Sequence, residues 1–542
     1  MSGARPTSRS RVGEWSLALA VVVATAVAST WPLATSPWLV PAHQDPLFSV
    51  WRLYTWARSL AGQTPGLFDA NIFYPATGVQ LLSDPILLPA AVTAPFLWAG
   101  LPPVIAYSLV FWASTIASGL AMYACARAIS NSRWGALVAA AMFTGAPARL
   151  EHVFHLESLW TPFLPLAVLA TVRAFEGRPR APLALCAAMV GQIMGGIYFG
   201  VFLFTLWPIL AGVEWLRRRG AVPRRTVVRT LAGVAVAALI VAIYAAPFAR
   251  ARRLVGDRGE VEVTRYSASL ASYATSPAAN RVWGWTDTGL PETRLFPGLL
   301  GTGLAAGALT APAAPWVAAL VVTTAVAVDA SRGVNGWTYP WLRLLSPYRG
   351  LRVPARFGML ALMGLALLAA VGTAQVLRVL SAPGVAAVVA VAILAGIVAE
   401  SAAVVPVRRM PREAPPVYAW LSTLPPTVIA HLPMPRAARL PGPEADFLYF
   451  AQYHRHALLN GYSGFYPPDY LLLIERASAF PDDRALVALR NAGARYLVVH
   501  EAFYPSPEAF AAVVDGLERR GDVTGVLTST DEGGTVRVYR LR

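Results

Sequence analysis

From Trp15 to Val404 the chain alternates long apolar blocks with polar or arginine-bearing connections, some of them short turns and others long loops. The blocks fall at about 15–33, 104–127, 134–149, 158–174, 181–195, 198–214, 229–249, 297–311, 314–330, 356–379 and 384–404. Most approach the ~20 residues that a helix needs to cross a hydrocarbon core. The pattern therefore predicts a polytopic α-helical membrane protein with about ten or eleven transmembrane helices. The pair 181–195 and 198–214 reads as a helical hairpin turning at Gly195, Gly196 and Tyr198. The run Ile86–Trp98 is short and broken by Pro89 and Pro95, which suits an interfacial or re-entrant helix better than a full crossing.

Beyond Pro406 the pattern changes. Short apolar stretches at Thr427–Leu432, Tyr496–His500 and Thr535–Leu541 read as strands. Amphipathic stretches at Ala485–Ala492 and Pro507–Leu517 read as helices. The expected organisation is a membrane domain over 1–405 and a small C-terminal α/β soluble domain over 406–542, long enough for its own core.

Composition agrees with lipid as the solvent: 56% of residues are hydrophobic and 14% charged, and the mean hydropathy is +0.51, values outside the range of soluble domains. The net charge of +16 does not point to nucleic acid, because the arginines gather at the ends of apolar runs, as in Arg217, Arg218, Arg219, Arg224 and Arg225. Cys125 and Cys186 each lie inside an apolar block, so neither a disulfide framework nor a zinc knuckle is indicated. The first apolar run has small residues at Ala24, Ala26 and Ala28 that fit a cleavable signal, but its continuation to Leu33 favours an uncleaved helix.

Arginine placement also sets the sides. The N-terminal tail and the turns at Arg173–Arg180 and Arg217–Arg229 are expected in the cytoplasm under the positive-inside rule. Counting spans from there puts loops 36–85, 150–157, 250–296 and 331–355 outside, together with the C-terminal domain.

Chemistry is expected in those outer loops, since the spans carry few ionisable groups: Arg173, Asp329, Arg356 and Glu400 stand near span ends. The lack of midplane carboxylates counts against ion-coupled transport. In the first loop Asp45 and Asp84 each abut an apolar segment, where an unneeded charge carries a desolvation penalty; Asp69 and Asn71 lie between them. Any one of these acids is also explained as loop solvation. The second loop, RLEHVFHLESLW, brings Glu151, His152, His155 and Glu157 close in sequence. His152 and His155 stand three apart and Glu151 four before His155, so a helical turn would put all three on one face, suited to orienting a carboxylate, binding a sugar or holding a divalent cation, or equally to facing lipid headgroups. Arg250, Arg252, Arg253, Arg258 and Arg265 in one loop, and Arg349, Arg352 and Arg356 in another, run against the positive-inside trend. Phosphate oxygens would explain them through bidentate guanidinium contacts, as would headgroup contact. Trp51, Tyr54, Trp56, Phe73 and Tyr74 suit sugar stacking or an interfacial aromatic belt. His454, His456, Tyr462 and Asp469 show no site-like spacing and read as surface residues of the C-terminal domain.

The series DPLFSVWRL, NIFYPATGVQLLSDPILL, HVFHLESLWTPFLPL, GGIYFGVFL and LRVPARF, with HALLNGYSGFYPPDY and GARYLVVH in the tail, resembles the GT-C superfamily of polytopic glycosyltransferases. It is similar in particular to bacterial cell-envelope members with a C-terminal extracytoplasmic domain. The resemblance implies a multi-pass protein of the bacterial inner membrane, a polyprenyl-phosphate sugar donor and a glycan or lipid acceptor on the outer face. It implies an acidic base in the first outer loop, by position Asp45. Asp84 and the group His152, His155 and Glu157 match places that hold acceptor, donor phosphate or a metal, with Glu157 standing where many members carry Gln. The expected reaction is an inverting transfer. Asp45 takes the proton of the attacking hydroxyl, and Arg250, Arg253, Arg352 or Arg356 meets the departing lipid phosphate. A lipid or polysaccharide flippase and a non-catalytic assembly subunit are the alternative readings.

Overall fold

The computed structural model describes residues 8–218, 221–531 and 533–542. The first seven residues of the N-terminal tail and Arg219, both used to orient the chain, lie outside the described residues. Each of the eleven apolar blocks carries a helix, and among the described residues seven helices are long and apolar enough to cross a membrane. Proline shapes two of the blocks. The block expected at 134–149 stops at Gly145, two residues before Pro147, and the one expected at 158–174 is split into Leu156–Leu159 and Phe163–Phe175 ahead of Pro162 and Pro165. The protein is a multi-pass membrane protein with a small α/β region.

The chain divides into two compact units, one formed by 1–37, 109–246 and 257–407 and the other by 38–108, 247–256 and 408–542. The first is a helical bundle around Gly358–Arg378, the span most enclosed by protein, whereas Arg224–Val255 is almost wholly exposed, as a lipid-facing helix should be. Small residues let helices approach closely where lipid supplies no hydrophobic drive. A Cβ on Gly372 would stand 1.8 Å from the carbonyl oxygen of Leu304, and one on Gly135 2.2 Å from that of Ala370.

The second unit is built on a five-stranded sheet in the order Ala457–Leu458, Val428–Leu432, Tyr496–His500, Gly534–Leu541, Val523–Asp531. The first two pairings are parallel and the last two antiparallel. Leu432, Leu486, Leu489, Leu497, Val499, Leu517 and Tyr539 fill the core between the sheet and the helices Asp483–Asn491 and Pro507–Glu518. The short edge strand is not left bare: the amides of Phe73 and Tyr74 donate to the carbonyls of Asn460 and Leu458, and Leu458 donates to Asn71. A helix that the hydropathy pattern did not announce, Gln44–Leu60, packs beside Glu444–His454. The first loop thus folds with the C-terminal segment into one body.

Candidate functional site

In the second unit, His43 caps the helix Gln44–Leu60, its Nδ1 accepting the amide hydrogen of Asp45 at 3.3 Å. Asp45 then occupies the first turn, where the helix dipole favours a carboxylate. Tyr462 donates its phenol hydrogen to Asp45 Oδ1 at 2.6 Å, and Asp45 Oδ2 lies 3.1 Å from His43 Nδ1. The side chain of Asp45 is 19% exposed, held in position yet reachable. The Tyr462 ring in turn packs on Phe48 of the same helix, with centroids 4.9 Å apart. Arg52 donates to the backbone carbonyl of Asp84 at 2.7 Å and lies over the Phe48 ring at 4.5 Å. One helix therefore fixes Asp45 directly and the backbone of Asp84 through Arg52.

Glu444, behind this helix, is fully buried and accepts from Asn460, Tyr470 and the amide of Gly461. Burial outweighs those bonds and pushes its carboxyl up to about 8. Gly461 precedes Tyr462 and has no room for a side chain: a Cβ there would meet the Phe73 ring at 2.3 Å.

The first unit brings together the other histidine and carboxylate candidates. Arg356 forks onto Glu292, Nη2 to Oε1 at 2.6 Å and Nε to Oε2 at 3.1 Å. His152 Nδ1 and His155 Nε2 each lie 3.7 Å from the same carboxylate. Glu151 turns away from His155, correcting the shared helical face expected from their spacing. Residues 151–154 form turns between two short helices, and Glu151 accepts from Arg294 Nη2 at 3.0 Å and from the amide of Glu292. Arg294 also bridges to Asp287 at 2.9 Å. Burial pushes Glu292 up, but Arg356 and the two histidines overcome it and hold the carboxyl well below its usual range. Burial lowers His152 to about 3, against the pull of Glu292. Glu292 sits at φ +65°, an uncommon backbone region for a non-glycine residue. Glu157 is half-buried beside the hairpin turn, where a Cβ on Gly196 would stand 2.6 Å from its carbonyl oxygen.

The arginine candidates divide. Arg352 pairs with Glu262 at 3.2 Å, and Arg356 is buried against Glu292. Arg250 and Arg253 are exposed. They do not lie in a loop as expected, since the preceding helix continues to Val255: arginine is a good helix former and its long stem keeps the charge in water. Among the described residues, no three His, Cys, Asp or Glu side chains are arranged to hold a metal ion.

By sequence the chain matches no protein-family model and no curated protein. By structure it is similar along nearly its whole length to three membrane enzymes. An arabinofuranosyltransferase, AftD from Mycobacteria, aligns with TM-score 0.62 and 17% identity over 100% of this chain and 42% of its own. The archaeal oligosaccharyltransferase AglB from Archaeoglobus fulgidus aligns with TM-score 0.50 and 13% identity over 99% of this chain and 75% of its own. ArnT from Cupriavidus metallidurans aligns with TM-score 0.50 and 13% identity over 97% of each chain. The fold is GT-C. The chain spans less than half the length of AftD.

Within this GT-C fold two features escaped sequence reasoning. Glu292 and Arg294 lie in a loop without periodicity; their only signal is a Glu-Thr-Arg cluster flanked by Leu290 and Leu295. Of the tail residues read as surface, Asp469 is exposed as expected, but the others are not at the surface. His454 and His456 are 5% exposed, and Tyr462 is the partner of Asp45. With His431 and His500, they make four of the chain's seven histidines, buried around Tyr418 and Phe447.

Proposed function

We propose that the protein is a membrane glycosyltransferase that moves a sugar from a polyprenyl-phosphate donor to a cell-envelope acceptor on the outer face of the membrane, with inversion at C1. The observation that carries this reading is the setting of Asp45: a carboxylate at a helix N-terminus, oriented by the Tyr462 hydroxyl and still reachable from solvent. The fold supports it, since one structural neighbour is an oligosaccharyltransferase in complex with a dolichol-phosphate and another is an arabinofuranosyltransferase.

In this mechanism a carboxylate oxygen of Asp45 takes the proton of the acceptor hydroxyl as that oxygen bonds to C1 of the donor sugar. The bond from C1 to the phosphate oxygen breaks on the opposite face, and its electron pair leaves with the lipid phosphate. Charge builds on that phosphate. Arg250 and Arg253, exposed guanidinium groups of the same unit, are suited to receive it. Asp84, tied through its backbone to Arg52, serves as the second acid and binds an acceptor hydroxyl. His152, His155 and Glu157 belong to the other unit; there Glu292, Arg356 and Arg352 shape the loops through ion pairs.

The test is transfer of radiolabelled sugar from a panel of polyprenyl-phosphate sugars to a cell-envelope extract, using protein purified in lipid. Transfer from at least one donor supports the reading. An inert protein that instead moves labelled lipid across sealed vesicles would be a flippase, and one inert in both assays an assembly subunit.

A further inference from the structure

A pocket of about 380 Å³ lies wholly within the second unit, walled by Trp51, Tyr54, Asp69, Asn71 and Tyr74 on one side and by Gln452 and Arg455 on the other. Its volume falls in the ~300–1,000 Å³ range of small-molecule sites. The walls combine aromatic rings with fixed polar groups, the pairing that grips a sugar, whose C–H face stacks on a ring while its hydroxyls are bonded at the edge. Tyr74 is 43% exposed and Tyr54 half-buried, so both offer ring surface. The wall is braced from behind: Trp51 donates to Asn71 Oδ1 at 3.3 Å, Asn71 donates to the carbonyl of His456 at 3.0 Å, and Asp69 Oδ1 accepts from Gly78 at 2.7 Å.

The charge in the pocket is unbalanced. Two guanidinium groups, Arg58 and Arg455, face one carboxylate, Asp69. Arg58 donates to the carbonyl of Gln63 and lies over the Tyr54 ring at 5.9 Å, while its Nε is buried without a hydrogen-bond partner. Neither arginine forms an ion pair among the described residues.

Arg455 stands where backbone stability alone would favour a different residue. It is the residue that ends the helix Glu444–His454, at φ +62°. That left-handed position is the place of glycine or asparagine, and a long side chain there is disfavoured. An exposed arginine at this point projects its charge at a cost to the backbone.

We propose that this pocket binds an anionic saccharide unit, stacked on Tyr54 and Tyr74 with its acidic group on Arg58 and Arg455. A uronate-bearing glycan and a phosphoinositol-type headgroup share this chemistry, and the probes distinguish them. The pocket is separate from Asp45, so its occupancy does not depend on the catalytic reading.

The experiment measures binding of digalacturonate to the full-length protein in neutral-lipid nanodiscs by saturation-transfer NMR and calorimetry. The proposal predicts saturable binding in the millimolar range or tighter and at least about tenfold weaker binding of the uncharged digalactoside. Tyr74→Ala and Arg455→Gly should each weaken binding about tenfold. Arg455→Gly should do so without lowering the melting temperature, since glycine fits the left-handed turn. Asp45→Asn should bind digalacturonate like the unaltered protein, which separates failure of this site from failure of the catalytic assignment. Inositol phosphate displacing digalacturonate with higher affinity would assign the pocket to a headgroup and overturn the glycan reading. Equal binding of charged and uncharged probes, binding unchanged by both substitutions, or no saturable binding would overturn the proposal.

Discussion

Tyr462 and Asp45 lie 417 positions apart in sequence and 2.6 Å apart in space, with the phenol donating to a carboxylate oxygen. The base proposed for catalysis is therefore aimed by a residue of the C-terminal segment. Tyr462→Phe removes this bond but keeps the ring against Phe48. Turnover in the sugar-transfer assay should fall about ten- to a hundredfold, because small errors in placing a reacting group carry penalties of that size. The KM for the donor should stay within a factor of about two. Unchanged turnover would mean that the hydroxyl plays no part in orienting Asp45.

The Arg356–Glu292 pair is buried, with side-chain exposures of 6% and 9%. Removing one partner strands the other charge. Arg356→Met and Glu292→Gln should each destabilise the protein by roughly 3–5 kcal/mol, while the double variant recovers a large part of the loss. Thermal melting in detergent, followed by fluorescence-detected size exclusion, checks this. Additive losses would show that the two side chains do not act as a pair.

Gly461 fits because nothing stands between its backbone and the Phe73 ring. Gly461→Ala should cost about 1–3 kcal/mol through overpacking and should lower transfer activity, since it displaces the neighbouring Tyr462. Gly461→Ala combined with Phe73→Leu, which makes room, should restore part of both. Melting and transfer assays on the single and double variants decide the point.

Two groups in the C-terminal region titrate in opposite senses. Burial lowers His454 and His500 to about 3 and holds His431 well below the usual imidazole range, with neighbouring imidazoles adding to the shifts of His431 and His454. Unfolded histidine takes up a proton near pH 6.5. Below that the unfolded state holds protons that the folded state lacks, so stability falls with pH by about 1.4 kcal/mol per unit for each imidazole. Glu444 behaves oppositely. Its folded value near 8 exceeds the unfolded one, so its contribution is fully present below about pH 4.5 and is lost as pH rises toward 8. Melting temperature should therefore pass through a maximum near pH 6.5, falling steeply on the acid side and more gently on the alkaline side. Glu444→Gln should flatten the alkaline limb and steepen the acid limb between about pH 4.5 and 6.5.

The membrane helices are legible in the sequence because lipid leaves a spanning helix no choice but apolar side chains. The strands at 428–432, 496–500 and 534–541 show as short apolar stretches because their side chains enter a core. The strand Val523–Asp531, whose second half is Thr528, Ser529, Thr530 and a terminal Asp531, is too polar to stand out from a loop. The helix Gln44–Leu60 was hidden because its buried face includes Ser49, Arg52 and Thr55, which hydropathy scores as loop. Asp45 could be singled out from its place beside an apolar run. Its partner could not, since no local pattern links positions so distant. Likewise Glu292 acquires its role only when residues 149–157 and 287–294 meet, and His454 and His456 become core residues only when His431 and His500 arrive on neighbouring strands.

The central claim is that Asp45 is the base of a sugar transfer. It is tested most directly by comparing the unaltered protein with Asp45→Asn, purified in lipid at matched melting temperature, in transfer from a polyprenyl-phosphate sugar that the unaltered protein uses. Asparagine keeps the shape and can still accept the Tyr462 hydrogen but has no basic carboxylate. Turnover should fall by about a hundredfold or more, the range expected for loss of a general base, with donor binding retained. An Asp45→Asn protein that transfers sugar at the unaltered rate would contradict the account.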